Sequence, residues 1–240
     1  MSPPPVTTLT EEEQMVRDGV ARFAKEELAP LVRQMDDAGK MEPHIIQSCF
    51  DNGFMGVEVP EELGGSGSSF TAALLVVEEL AKVDPAVSVM CDIHNTIVNN
   101  CFTYWADKRL QEQWLPRLSA DCLGAFCLSE ASSGSDAFAL RTTARREGEH
   151  YVLNGEKMWI SNSQEAGVFL VMRQRPTTIN YNTTNHSVNV NILAYGSEPI
   201  PDTQEVKQIL VPPETSVARY IALKHFRNPS TANLRISNPR

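Results

Sequence analysis

From Thr10 to Leu118 apolar residues recur at spacings of three and four, and beyond Cys122 they gather in short runs bounded by Gly, Ser and Asn. The chain therefore changes period near residue 122. Thr10 and Glu13 have the spacing of a capping box, and Val16, Val20, Phe23 and Ala24 share one face of the helix that follows, which Pro30 is expected to end. A second helix is predicted over residues 42–51, closing near Gly53. Residues 60–67 (PEELGGSG) read as a glycine-rich loop, after which Ser68 or Ser69 caps a helix running to Ala81. Asp84 and Pro85 open a long apolar helix carrying Val87, Met90, His94, Ile97, Val98 and Phe102, and residues 108–118 form one more.

Past Cys122 strands are predicted over 123–128, 151–153, 158–161 and 168–172. Asn154-Gly155 is expected to turn a hairpin whose second strand sets Trp159 and Ser161 on the same face. From Arg173 onward neither period persists: Asn180, Asn182, Asn185, Asn189 and Asn191 crowd among Thr and Ser, and Pro212-Pro213 follows. The predicted class is α+β, with an all-helical domain over 1–121, a partial β domain over 122–172 and a divergent, poorly ordered tail over 173–240.

Composition narrows the function classes. With 21 Lys+Arg against 30 Asp+Glu the net charge is −9, which gives no general grip on a phosphate backbone, so nucleic acid is excluded as a main partner. Leu74 to Val77 is the longest apolar neighbourhood, and Glu78-Glu79 interrupts it, so no membrane span is expected. The five cysteines form no C-x-x-C pair and stand among apolar neighbours, as buried thiols of a reducing compartment do. The first ten residues hold Pro3, Pro4 and Pro5 but no Arg, so no signal or transit peptide is visible.

Several motifs resolve to structural roles. Gly65-Ser66-Gly67 lacks the third glycine of a dinucleotide fingerprint and the Gly-Lys-Ser/Thr of a P-loop, which leaves a tight turn between helices. His94 has no second ligand at helical spacing, so it reads as a packed core histidine and no metal site is expected. Ser129, Glu130 and Asp136 lack the G-x-S-x-G context of a hydrolase. Two stretches are more informative. Residues 125–139 (AFCLSEASSGSDAFA) run from a strand into a loop of small residues whose N–H groups can approach an anion or a ring edge. Residues 151–162 (YVLNGEKMWISN) offer Trp159 as a flat plate with the Ser161 hydroxyl beside it.

These two stretches resemble the acyl-CoA dehydrogenase family, whose signature Cys-Leu-Ser-Glu, two residues, Ser-Gly-Ser-Asp is met from Cys127 to Asp136. The likeness covers about the first 172 residues, including PEELGGSG, EELAKVDPAVSV and KMWISN. The wording Cys91-Asp92-Ile93-His94-Asn95-Thr96 is similar to that of the short/branched-chain members.

The resemblance implies an N-terminal helical domain, a middle β domain and a C-terminal four-helix domain, the last without counterpart in these 240 residues. It implies FAD as cofactor, lined by Phe126, Cys127, Leu128, Ser129, Glu130, Ala131, Ser132, Ser133, Gly134 and Ser135, with Trp159, Ile160 and Ser161 along the ring. Leu128 backbone and the Ser129 hydroxyl would bond the pyrimidine edge, Ser161 would bond near N5, and Ser135 and Tyr181 would touch the substrate. The implied reaction is α,β-dehydrogenation of a short or 2-methyl-branched acyl-CoA to the trans-2-enoyl-CoA, in fatty acid β-oxidation and branched-chain amino acid catabolism. A glutamate of the C-terminal domain removes the α-proton, and electrons pass to electron-transferring flavoprotein. No residue of this chain is assigned as that base, so the chain alone is expected to be inactive, and colourless after desalting. The resemblance also implies a homo-oligomer in the full-length enzyme and the mitochondrial matrix as its compartment. The alternative reading is a non-catalytic truncated fragment that binds family members, or an aberrant transcript product.

Overall fold

The structure is a computed structural model and describes residues 8–147, 150–173 and 233–237. The chain divides into two compact units, one of Met1–Thr103 with Arg109–Asp121 and the other of Tyr104–Lys108 with Cys122–Arg240. The first is helical, and the strands lie in the second, which is the α+β class expected.

Helix α1 (Glu11–Phe23) starts where the sequence places it. The Glu13 amide donates to the Thr10 hydroxyl at 3.1 Å, and the Thr10 amide donates to the Glu13 carboxylate at 2.9 Å, closing the capping box. Ser69 caps α4 (Phe70–Ala81) by accepting the Ala72 amide, and its hydroxyl donates to Glu13 at 2.7 Å, so the two helix starts are tied together. The Thr10 amide, and after it Ser69, hold the Glu13 carboxyl below its ordinary range.

Pro30 does not end the first helical run. A π turn (Ala24–Leu28) and a 3-10 turn (Ala29–Leu31) carry the chain into α2 (Val32–Ala38), which stops on Gly39 at φ 59°. Proline sits at the start of the tightened turn, where its missing N–H is not needed, and the wide turn before it absorbs the change of pitch. After α3 (Pro43–Asp51) and α4, the helix begun by Asp84 is also divided, into α5 (Pro85–Asp92), a π segment (Ile93–Asn99) and α6 (Asn100–Trp105). Within the π segment Asn95 donates to the Phe54 carbonyl at 2.7 Å and Asn99 to the Met55 carbonyl at 2.8 Å. The widened turn thus brings two amide side chains to backbone that has no ladder partner of its own. Helix α7 (Lys108–Ala120) follows.

In the second unit β1 (Gly124–Cys127) pairs in parallel with β4 (Val168–Val171). Strand β2 (Thr143–Glu147) pairs antiparallel with β3 (His150–Met158), and β3 pairs in parallel with β5 (Asn233–Ser237). Here the structure corrects the sequence reading. Asn154 and Gly155 lie inside β3, and the reversal falls between Glu147 and His150. A Cβ on Gly155 would come within 2.7 Å of the Thr142 Cα, so this glycine serves a close approach of two segments rather than a turn. Trp159 and Ser161 consequently lie beyond the strand end, not on one strand face. Strand β2 was not anticipated because TARRE carries no apolar alternation, and β5 lies in the stretch read as patternless, where Leu234 and Ile236 alternate too briefly to stand out.

Candidate functional site

Strand β1 alternates its faces: Ala125 and Cys127 join a core with Ala144, Ile160, Ala166, Phe169 and Val171, while Phe126 and Leu128 are half-buried on the other side. Burial pushes the Cys127 thiol up to about 12, so it is a core hydrophobe and not a nucleophile. Beyond the strand the chain turns tightly, with the Glu130 and Ser133 amides each donating to the other's carbonyl, at 2.9 and 3.0 Å. Ser133 is buried and donates to the Asp136 carbonyl at 2.8 Å. Ala131, Ser132, Gly134 and Ser135 are exposed, and a Cβ on Gly134 would meet nothing within 4 Å. The small-residue loop therefore presents an open polar rim on a fixed base.

What fixes the base is an ion pair that the sequence reading passed over. Lys157 is fully buried on β3, and its Nζ donates to Glu130 Oε1 at 2.7 Å and to the Leu128 carbonyl at 2.9 Å. Glu130 also accepts the Arg141 amide at 2.6 Å and the Thr142 amide at 3.0 Å, so both carboxylate oxygens are spent inside the protein. Burial alone would raise the Glu130 carboxyl, but Lys157 and the two amides outweigh it and hold it below its ordinary range. Burial draws the Lys157 ammonium down against the pull of Glu130. The alternation of β3 held a signal: Lys157 shares the inward side with Leu153 and Gly155, an unusual place for a lysine.

The Met158 amide donates to the Ser129 carbonyl at 3.0 Å, which sets the end of β3 beside the start of the loop. The next residue, Trp159, adopts a left-handed φ of 59° with its side chain 64% exposed, and Ile160 after it is buried in the core. A bulky residue at positive φ costs about 1 kcal/mol or more and persists where neighbours on both sides impose it. Asn162, at φ 66°, anchors the far side by donating to the Gly124 carbonyl at 3.0 Å. The structure thus brings together Leu128, Ser129, Trp159 and the exposed loop. It sends Cys127, Ile160 and the Glu130 carboxylate inward. Tyr181 lies outside the described residues.

The other candidates resolve as follows. In the glycine-rich loop the Gly65, Ser66, Gly67 and Ser68 amides donate to the Pro60, Gly56, Val59 and Val57 carbonyls, leaving none of these N–H groups for a phosphate. His94 is a core residue: its Nε2–H donates to the Leu118 carbonyl at 2.7 Å, Phe50 meets the ring edge-on, and burial lowers its pKa to about 4. A cavity of about 380 Å³ in the helical unit, lined among others by Met15, Phe23, Phe54 and Glu26, contains none of the predicted site residues. Among the described residues no cluster of His, Cys, Asp and Glu is placed to hold a metal, and no helix is long and apolar enough to cross a membrane.

Comparison with known proteins agrees with this layout. Residues 10–121 match the model of the acyl-CoA dehydrogenase N-terminal domain, and residues 125–199 match that of the middle domain, running past Arg173. The short/branched chain specific acyl-CoA dehydrogenase of Rattus norvegicus is 48% identical over 167 residues, 70% of this chain and 39% of that protein. A probable enzyme of the same name from Dictyostelium discoideum is 46% identical over 169 residues, 70% of this chain and 41% of that one. The butyryl-CoA dehydrogenase structure from Megasphaera elsdenii superposes with a TM-score of 0.73 at 27% identity, over 80% of this chain and 50% of that one. The chain spans about 40% of the length of these curated relatives. With the N-terminal and middle domain models matched in order along the chain, the protein belongs to the acyl-CoA dehydrogenase family.

Proposed function

We propose that the second unit is the flavin-side wall of an FAD-dependent acyl-CoA dehydrogenase acting on short or 2-methyl-branched acyl-CoA. The carrying observation is Trp159: a large, exposed aromatic side chain held at a strained φ of 59° beside an open loop of small hydroxyl residues. The donor set fits a flat heteroaromatic ring with polar edges. The indole supplies an apolar face, the Ser129 and Ser161 hydroxyls supply donors, and the backbone at Leu128 and Ser129 lies at the loop entrance. Ser132, Gly134 and Ser135 form the open rim, and Phe126 stands on the same side of β1 as Leu128. Ala131 and Ser133 shape that rim, and Ser135, with Tyr181, is assigned to the substrate.

A flavin bound by these residues would supply the hydride acceptor for the dehydrogenation. The residues of this chain orient the ring and place donors where negative charge gathers on it, which is electrostatic preorganisation. None of them is assigned as the base that takes the α-proton, because the acidic member of the signature, Glu130, is committed to Lys157 and two backbone amides. The mitochondrial address in the rat relative's name supports the same compartment for this chain, and the family reading implies electron-transferring flavoprotein as acceptor and a homo-oligomeric enzyme. The test is to join residues 1–172 to the remainder of the rat relative and follow dye reduction with short and 2-methyl-branched acyl-CoAs. Turnover is expected; a folded, yellow, inactive protein would refute the reading.

A further inference from the structure

We propose that Lys157 is a positioning residue for the flavin ring and acts through a single peptide group, gripping the Leu128 carbonyl so that the Ser129 N–H on the same amide is aimed and strengthened as a donor. The proposal rests on the reading of this wall as flavin-binding. Its basis is the pair of bonds from the Lys157 Nζ, one to Glu130 Oε1 and one to the Leu128 carbonyl, with the lysine side chain fully enclosed. The Ser129 N–H itself has no acceptor among the described residues.

A charged donor on an amide carbonyl draws electron density to the oxygen and leaves the N–H of the same amide more positive, and in dry surroundings the effect is not screened. The Arg141 and Thr142 amides already fix where the Glu130 carboxylate lies, so toward Glu130 the lysine supplies charge rather than aim. Enclosing an ammonium is costly, and an apolar side chain of similar length would fill the space at less cost. Beyond neutralising Glu130, the lysine adds the second bond, to Leu128. It also acts on the loop's geometry, because Met158, the next residue of β3, holds the Ser129 carbonyl from the other side of that residue. Ser129 is thus gripped at both of its peptide groups, by two consecutive residues of one strand.

The experiment compares ¹⁵N-labelled full chains carrying Glu130→Gln alone and Glu130→Gln with Lys157→Met, by amide spectra without ligand and by titration with FAD. Glutamine keeps only one of the two oxygens that accept the Arg141 and Thr142 amides, a loss common to both variants, and the double variant leaves no buried charge. Relative to Glu130→Gln, the double variant is expected to shift the Ser129 amide proton upfield and to bind FAD about tenfold more weakly, with α4 amides unmoved. An unmoved Ser129 amide together with unchanged FAD affinity would overturn the proposal while leaving the flavin reading intact. Wild-type chain whose amides ignore FAD would overturn both. Should the double variant not fold, Lys157→Gln, which keeps a neutral donor, is read in its place, with the same direction expected and a smaller change.

Discussion

The Met158 amide and the Ser129 carbonyl are joined by a 3.0 Å hydrogen bond, and this bond couples the two halves of the site. It holds the end of β3 against the loop entrance, so that the following residue, Trp159, turns outward at φ 59° while Ile160 goes into the core. The indole's position is imposed by its neighbours rather than by its own packing.

Backbone strain at Trp159 should therefore be separable from its use. Trp159→Gly is expected to be about 1 kcal/mol more stable than Trp159→Ala, because only glycine relaxes at positive φ. Both should lose FAD affinity by tenfold or more. Urea denaturation of the two variants measures the first, and FAD titration the second. Equal stability would mean that the left-handed backbone is not the source of strain.

Two glycines give opposite expectations. A Cβ on Gly65 would lie 2.6 Å from the Gly56 carbonyl oxygen, so Gly65→Ala is expected to cost about 2 kcal/mol or more. A Cβ on Gly134 meets nothing, and Gly134→Ala should stay within about 0.5 kcal/mol of wild type. Any larger effect of Gly134→Ala on FAD binding than on folding would then come from the ligand side of the loop. Chemical denaturation of both variants decides the contrast.

Acid should weaken the helical unit through His94. Its pKa is lowered to about 4 in the fold, so between that value and an unfolded value near 6.5 the unfolded chain binds more protons. Its contribution is complete above about pH 6.5 and is lost progressively as pH falls toward 4, by about 3 kcal/mol at most. His94→Gln should flatten that part of the stability curve. A variant with the wild-type slope would show that another group carries the titration.

Removing one partner of the buried pair should cost more than removing both. Lys157→Met alone leaves Glu130 enclosed and unpaired, with an expected loss of about 3 to 5 kcal/mol, and adding Glu130→Gln should return part of it. The depressed Glu130 carboxyl stabilises the fold above its unfolded pKa, and that contribution is lost as pH falls through the folded value. The double-mutant cycle, measured by urea unfolding at neutral pH, checks the sign and size of the coupling.

Much of this was legible in the residues. Thr10 with Glu13, Ser69 before Phe70, and Asp84 before Pro85 each mark a helix start by a local hydrogen bond, and local bonds leave local patterns. The π segment at 93–99 was not legible, because it answers to the distant carbonyls of Phe54 and Met55. Asn154-Gly155 misled for a related reason: a glycine demanded by Thr142 across the sheet looks, in sequence, like one demanded by a turn. In the site, Ser129 and Trp159 stood out as a motif, whereas Lys157 gained its meaning only when the fold set it between Glu130 and Leu128.

The most direct measurement of the central claim is the indole N–H resonance of Trp159, assigned by its loss in Trp159→Phe, followed in the full chain as FAD is added. The account predicts a saturable shift of this resonance together with the Ser129 and Ser135 amides, while the indole of Trp114, buried in the helical unit, stays in place. A Trp159 resonance unmoved at millimolar FAD, or one that moves no more than that of Trp114, would contradict it.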